Sequence, residues 1–217
     1  MTEIQNKGTG AGGANTNING IAFEKKTDNE SRLLSNGFIR KTIPGKEKTK
    51  YGYYLEKKDD EKQQTIHFVT QNGLKQYMQH FHQKELFREV DEAYIIIDNC
   101  IDNGINNGID NGIDNGIDSK KIRVKILEKK NQNGGGSVED KLCMGYHFKC
   151  VEYPNCLGDH FQVEYAFCIS TFLKNLYTSD HIKWKILRKE NEKNNIPVLF
   201  GDDEDYFSKL DAWWINS

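Results

Sequence analysis

Apolar side chains recur at every second position over much of this chain and keep helical spacing over fewer stretches, which predicts a fold centred on a sheet. The strongest alternation runs through KKIRVKILEKKNQ at 120–132, where Ile122, Val124 and Ile126 share one strand face. Continued outward, that face carries Glu128 and Lys130, an odd place for two charges. Phe161, Val163, Tyr165 and Phe167 alternate in the same way within FQVEYAFCIST, which predicts a strand beside the first. Val90-Asp91-Glu92-Ala93-Tyr94, running into Ile95, Ile96 and Ile97, predicts a buried strand with Asp91 at its entrance. The stretch from Phe38 to Val69 predicts a hairpin with a charged tip at Lys57 to Lys62, and IPVLF at 196–200 a short extended segment.

Helical spacing begins near Asn19, where Ile21, Phe23, Leu33 and Leu34 supply parts of an apolar face, with Glu24 on the first turns. It returns from 72 to 87 through Leu74, Tyr77, Met78, Phe81 and Leu86. Ser137 reads as an N-cap with Asp140 three positions on, followed by Leu142, Met144 and Tyr146, and Tyr206 to Trp214 reads as a terminal aromatic helix. Together these elements predict one α/β (mixed α+β) domain over 1–217, a central mixed sheet flanked by helices.

Two stretches stand outside this pattern. Residues 1–18 are rich in Gly, Asn and Thr and read as a mobile arm. Residues 98–119 are near-copies of Ile-Asp-Asn-Gly and read as an expanded hairpin loop joining the Asp91 strand to the Glu128 strand. The period is too short for a solenoid and differs from the nine-residue calcium-binding repeat. Extra copies lengthen such a loop at small entropic cost.

A net charge of -2 announces no polyanionic partner, yet 120–130 holds six basic residues against one acid, so a basic face is local. The five cysteines are irregularly spaced and no secretory signal precedes them, which predicts reduced thiols in a soluble intracellular protein. No apolar run reaches membrane-spanning length. Cys143, His147, Cys150, Cys156 and His160 lie close in sequence without a zinc-knuckle spacing, and His80 and His82 fall on different faces of a helix.

Acid-x-Lys triplets occur repeatedly in a chain this rich in Glu and Lys, so context must choose among them. Glu128-Lys129-Lys130 ends a buried strand whose hairpin partner begins with Asp91; Glu56-Lys57-Lys58, its rival, has no such partner. A carboxylate and an ammonium two residues apart form a compact device for holding a divalent metal beside an activated water. Register is the hazard, because a slip of one residue would send Asp91 and Glu128 to opposite faces.

The order of helix with Glu24, hairpin with Asp91 and Glu128-x-Lys130, helix and strand resembles the PD-(D/E)XK nuclease core. GAGGANTNINGIAFE, VDEAYII and ILEKKNQNGGGSVEDKL, spanning Gly8 to Leu142, resemble the type II restriction endonucleases of large DNA viruses that infect algae, and the tail PVLFGDDEDYF is compatible with the same group. The resemblance implies that Asp91 and Glu128 hold Mg2+, that Glu24 serves the outer shell or a second metal, and that Lys130 positions or deprotonates the attacking water. Gln132, on the same strand face, is an auxiliary candidate. It further implies site-specific cleavage of double-stranded DNA to 5'-phosphates by a homodimer, a companion DNA methyltransferase, and a virus-encoded protein acting in the infected cell or carried in the virion. Two features depart from the group: Asp91 follows Val90 where Pro is frequent, and the tetrapeptide repeat is peculiar to this chain. The residues read alone leave open a non-catalytic nucleic-acid-binding or structural protein, or a related nuclease in repair or nicking.

Overall fold

The computed structural model describes residues 22–99, 122–132 and 138–215, so the N-terminal arm and nearly all of the tetrapeptide repeat lie outside the described residues. Seven strands form a single sheet in chain order: β1 (Ile39–Thr42), β2 (Tyr53–Asp59), β3 (Gln64–Gln71), β4 (Val90–Asp98), β5 (Ile122–Lys130), β6 (Phe161–Ile169) and β7 (Val198–Phe200). Neighbours from β1 to β5 run antiparallel, while β5, β6 and β7 run parallel. The fold is therefore mixed α/β, a mixed sheet flanked by helices.

Antiparallel neighbours need only turns, but parallel ones need crossovers. The first crossover carries α4 (Val138–Leu142), α5 (Gly145–His147), a π-helical segment (Phe148–Glu152) and α6 (Tyr153–Leu157); the second carries α7 (Thr171–Tyr177) and α8 (Ile182–Lys193). Both lie on one face of the sheet, as two crossovers of the same hand stepping in the same direction must. There Leu142, Tyr153, Leu157, Leu173, Tyr177, Trp184 and Leu187 bury against Val124, Ile126, Val163, Tyr165 and Phe167, joined by Leu74, Tyr77 and Met78 of α3 (Gly73–His82).

Because side chains alternate along a strand, the other face collects Leu55, Phe68, Tyr94, Leu127 and Cys168. It is covered by a helical stretch at 22–26 (α1), by α2 (Glu30–Ser35) and by α9 (Tyr206–Ile215), through Phe23, Leu33, Tyr206, Leu210 and Trp214. The Trp214 ring stacks on Tyr94 at 4.9 Å between centroids. No described helix is long and apolar enough to cross a membrane.

Several elements are shorter than the hydrophobic pattern predicts. The helix expected from about Asn19 through Leu34 is broken at 27–29, where the buried Thr27 hydroxyl donates to the Phe23 carbonyl at 2.8 Å and the buried Asn29 amide donates to the Tyr94 hydroxyl. The helix expected over 72–87 stops at His82 because Gln83 takes a left-handed conformation, φ 56°, leaving Phe87 on the surface while Leu86 turns inward. The helix after Ser137 is divided into short segments, with Met144 and Tyr146 exposed. In place of one hairpin over 38–69 stands a three-stranded meander, β1 to β3.

Asp202, just past β7, ties both sides of the sheet together. One carboxylate oxygen accepts the Thr171 N–H at 2.7 Å and the Thr171 hydroxyl at 2.8 Å, capping the start of α7, while the other accepts from Lys26 of α1 at 2.9 Å. Burial alone would raise its pKa, but Lys26 and the Thr171 donors outweigh burial and hold it below the ordinary 3.8. A carboxyl depressed in the folded state contributes stability that is present above the unfolded-state pKa and lost as pH falls through the folded value. Urea midpoints measured from pH 5 down to pH 2 should therefore fall more steeply in the wild type than in Asp202→Asn. Parallel curves would show that these contacts add no pH-dependent stability.

Candidate active site

The polar ends of β4 and β5 gather the charges. Glu92 stands opposite Leu127 in the β4–β5 ladder, so one step outward the register brings Asp91 alongside Glu128 at the ends of neighbouring strands. Two features fix Asp91 there. On its β3 side the ladder passes from Thr70↔Glu92 to Gln71↔Val90, which makes Asp91 the extra residue of a β-bulge, a device that re-aims a side chain at a strand end. Its carboxylate then accepts the Lys129 backbone N–H at 2.6 Å and, more weakly, the Gln71 amide at 3.4 Å.

Glu128 and Lys130, two apart on β5, share one strand face and form a direct ion pair through Glu128 Oε1 and Lys130 Nζ. Both line a cleft of about 480 Å3 between β5 and the first crossover, together with Arg88, Lys141, Tyr153 and Tyr165. Burial raises the Glu128 pKa first and the negative charge of Asp91 raises it further, against the pull of Lys130 and Lys141.

Asp91 opens onto a second cleft, of about 340 Å3, whose lining includes Glu24, Asp28, Glu30 and Tyr53. Asp91 therefore lies between the two clefts, facing one and acting by its charge on Glu128 in the other. Glu24, exposed on α1, shares the second cleft with Asp91 and does not line the first. Gln132 lines neither; its backbone N–H donates to the Ser170 hydroxyl at 3.3 Å, and that hydroxyl is 3.2 Å from the Gln132 carbonyl. Among the described residues no group of three or more His, Cys, Asp or Glu side chains is close enough to hold a metal ion.

Behind the site, on the opposite sheet face, lies a pair that the acid-x-Lys pattern hides. Lys129 Nζ donates to Glu92 Oε1 at 2.6 Å and to the Thr27 carbonyl at 2.7 Å, with Glu92 2 % and Lys129 8 % exposed. Strand alternation explains the division: Glu128 and Lys130 point into the cleft, and Lys129 between them points through the sheet toward α1. The rival carboxylate, Glu56 on β2, is engaged elsewhere, accepting from Lys41 at 2.6 Å and lying 3.1 Å from His67 Nε2, whose other ring nitrogen meets the Tyr77 hydroxyl.

The donor chemistry suits Mg2+. This ion binds through one or two carboxylates and completes its shell with water and substrate phosphate oxygens, so it does not require three protein ligands. Asp91 and Glu128, at the ends of neighbouring strands, are the two carboxylates that could supply that pair, with Lys130 paired to Glu128. Sequence reasoning did not reach Arg88, Lys141, Tyr153 and Tyr165 as cleft residues, because Arg88 comes from a loop, Lys141 and Tyr153 from the first crossover and Tyr165 from β6, and alternation along β5 alone cannot bring them together. No family model matches the chain, and no curated protein or solved structure matches it.

Proposed function

We propose that this chain is a Mg2+-dependent, site-specific endonuclease of double-stranded DNA on a PD-(D/E)XK core, leaving 5'-phosphates. The observation that carries the reading is the joint presentation of Glu128 and Lys130 on one strand face, with Asp91 beside Glu128 on the neighbouring strand. The succession of α1, antiparallel β3–β5, crossover helices and parallel β6 also supports it.

When bound, Mg2+ polarises a phosphoryl oxygen and offsets the charge on the leaving 3'-oxygen. Asp91 and Glu128 would hold it, and the Lys129 N–H anchors the Asp91 carboxylate. Lys130, already in contact with Glu128, would orient the attacking water, and would take its proton only after first losing its own. Glu24 stands across the second cleft from Asp91, where it serves the outer shell. Arg88 and Lys141 bring positive charge to the cleft that would receive the phosphate. Cutting both strands of a palindrome takes two such sites about a two-fold axis, hence a homodimer, and protecting self DNA takes a companion methyltransferase.

The test is digestion of sequenced, unmethylated plasmid with purified protein and Mg2+. A discrete ladder of fragments bearing 5'-phosphates is expected. A smear would indicate a nonspecific nuclease, nicked circles without linear product a monomeric one, and no metal-dependent cutting would sink the enzymatic reading.

A further inference from the structure

Arg88, Lys130 and Lys141 line the cleft beside Glu128, and they differ in how firmly they are held. Lys130 is already paired with Glu128, and Lys141 has no hydrogen-bond or ion-pair partner among the described residues. Arg88 is anchored and still has donors to spare. Its Nε donates to both oxygens of Glu152, at 2.7 and 3.0 Å, and its guanidinium lies 5.0 Å from the Phe148 ring centroid. Neither of its terminal nitrogens donates a hydrogen bond to any described residue.

A backbone irregularity supplies both supports. Phe148 opens and Glu152 closes the π-helical segment between α5 and α6, where the Tyr153 N–H meets the Phe148 carbonyl in a widened turn. Such turns recur at functional sites. The Glu152 side chain is 14 % exposed and that of Arg88 55 %, so the anchor is largely withdrawn from water while the group with unused donors stays open to it. Glu152 raises the Arg88 pKa above its ordinary value, and Glu128 adds to the effect, which puts the guanidinium within electrostatic reach of the proposed metal ligand. Connectivity points the same way. Arg88 lies in the loop between α3 and β4, three residues before Asp91, so one segment of chain delivers both.

We propose that Arg88 binds the phosphate under attack through its two terminal nitrogens, and that Glu152 and Phe148 are positioning residues that hold it ready for that contact. A guanidinium presents its donors in a planar fork that matches a pair of phosphate oxygens, and anchoring Nε on a carboxylate leaves the terminal nitrogens to make that match. Donors fixed in advance stabilise the charge that develops on the phosphoryl oxygens in the transition state. The inference deepens the nuclease reading and rests on it: it names the side chain that would hold the phosphate the metal activates.

Once the cleaved bond is mapped, two cognate duplexes are compared, one natural and one carrying a single uncharged methylphosphonate at the cleaved position. Each is bound without metal by the wild type, Arg88→Ala and Glu152→Ala. Removing the phosphate charge should cost the wild type at least about tenfold more affinity than it costs Arg88→Ala, which has already lost the contact. On natural duplex with Mg2+, single-turnover cleavage by Arg88→Ala should be about a hundredfold slower, and Arg88→Lys, which keeps the charge without the fork, should recover only part of the rate. Glu152→Ala should shrink the methylphosphonate effect and slow cleavage, although it removes no positive charge. Equal affinity losses in the wild type and Arg88→Ala, or cleavage by Arg88→Ala at the wild-type rate, would overturn the contact and leave the nuclease reading standing. An undiminished methylphosphonate effect in Glu152→Ala would overturn the positioning role. A wild type that cuts no DNA with Mg2+ overturns the nuclease reading and this inference together.

Discussion

Glu128→Ala should abolish cleavage, by at least about a thousandfold, while leaving DNA binding intact. The carboxylate feels the charge of Asp91 on the adjoining strand and is paired with Lys130, so its loss removes the proposed metal ligand and the group that holds the ammonium in place. It removes no large apolar contact. Metal-free binding should equal or exceed that of the wild type, because one negative charge has left a surface that meets phosphates. Glu56→Gln is the control: Glu56 is committed to Lys41 and His67, and its loss should leave cleavage by folded protein close to the wild-type rate. Gel-shift binding and single-turnover cleavage on one duplex separate the two outcomes. If Glu128→Ala still cuts and Glu56→Gln does not, the wrong acid-x-Lys triplet has been chosen.

Lys129→Ala should destabilise the fold by about 3–5 kcal/mol, the cost of leaving a buried carboxylate without its cation. Glu92 is almost wholly inaccessible, and burial already raises its pKa against the pull of Lys129. The same substitution frees the Thr27 carbonyl, so the chain just after α1 loses a polar tie to the sheet. Lys129→Met combined with Glu92→Leu should recover most of the loss, since two apolar side chains of similar size remove the uncompensated charge together. Urea unfolding of the two single variants and the double variant yields the coupling energy. Additive effects would mean that the buried pair is not the source of the cost. Lys129 and Lys130 are thus neighbours in sequence with separate work, one structural and the other at the cleft.

The pairing of the Asp91 strand with the Glu128 strand was legible because each carries a long apolar alternation that only one register can bury. Glu92 opposite Leu127 is the register that brings Asp91 alongside Glu128, while the bulge at Asp91 turns its side chain toward the second cleft. The strand at Phe161–Ile169 and the terminal aromatic helix were legible for the same reason. What alternation could not reveal was decided by single residues acting over distance. Asn29 meets Tyr94 on the sheet face beneath it and interrupts the first helix, Gln83 ends α3 by its left-handed turn, and the bulge at Asp91 exists only through pairing with β3. The cleft beside Glu128 depends in part on a crossover whose apolar residues keep no single helical period.

The central claim is that Asp91 and Glu128 together hold the divalent ion. Anomalous diffraction from crystals soaked in Mn2+, a Mg2+ surrogate with strong scattering, tests it most directly. One peak within about 2.0–2.3 Å of a carboxylate oxygen from each residue, close to the spacing Mg2+ itself prefers, is the predicted result. A peak held elsewhere, at Glu56 or at Asp202, with none between Asp91 and Glu128, would contradict it.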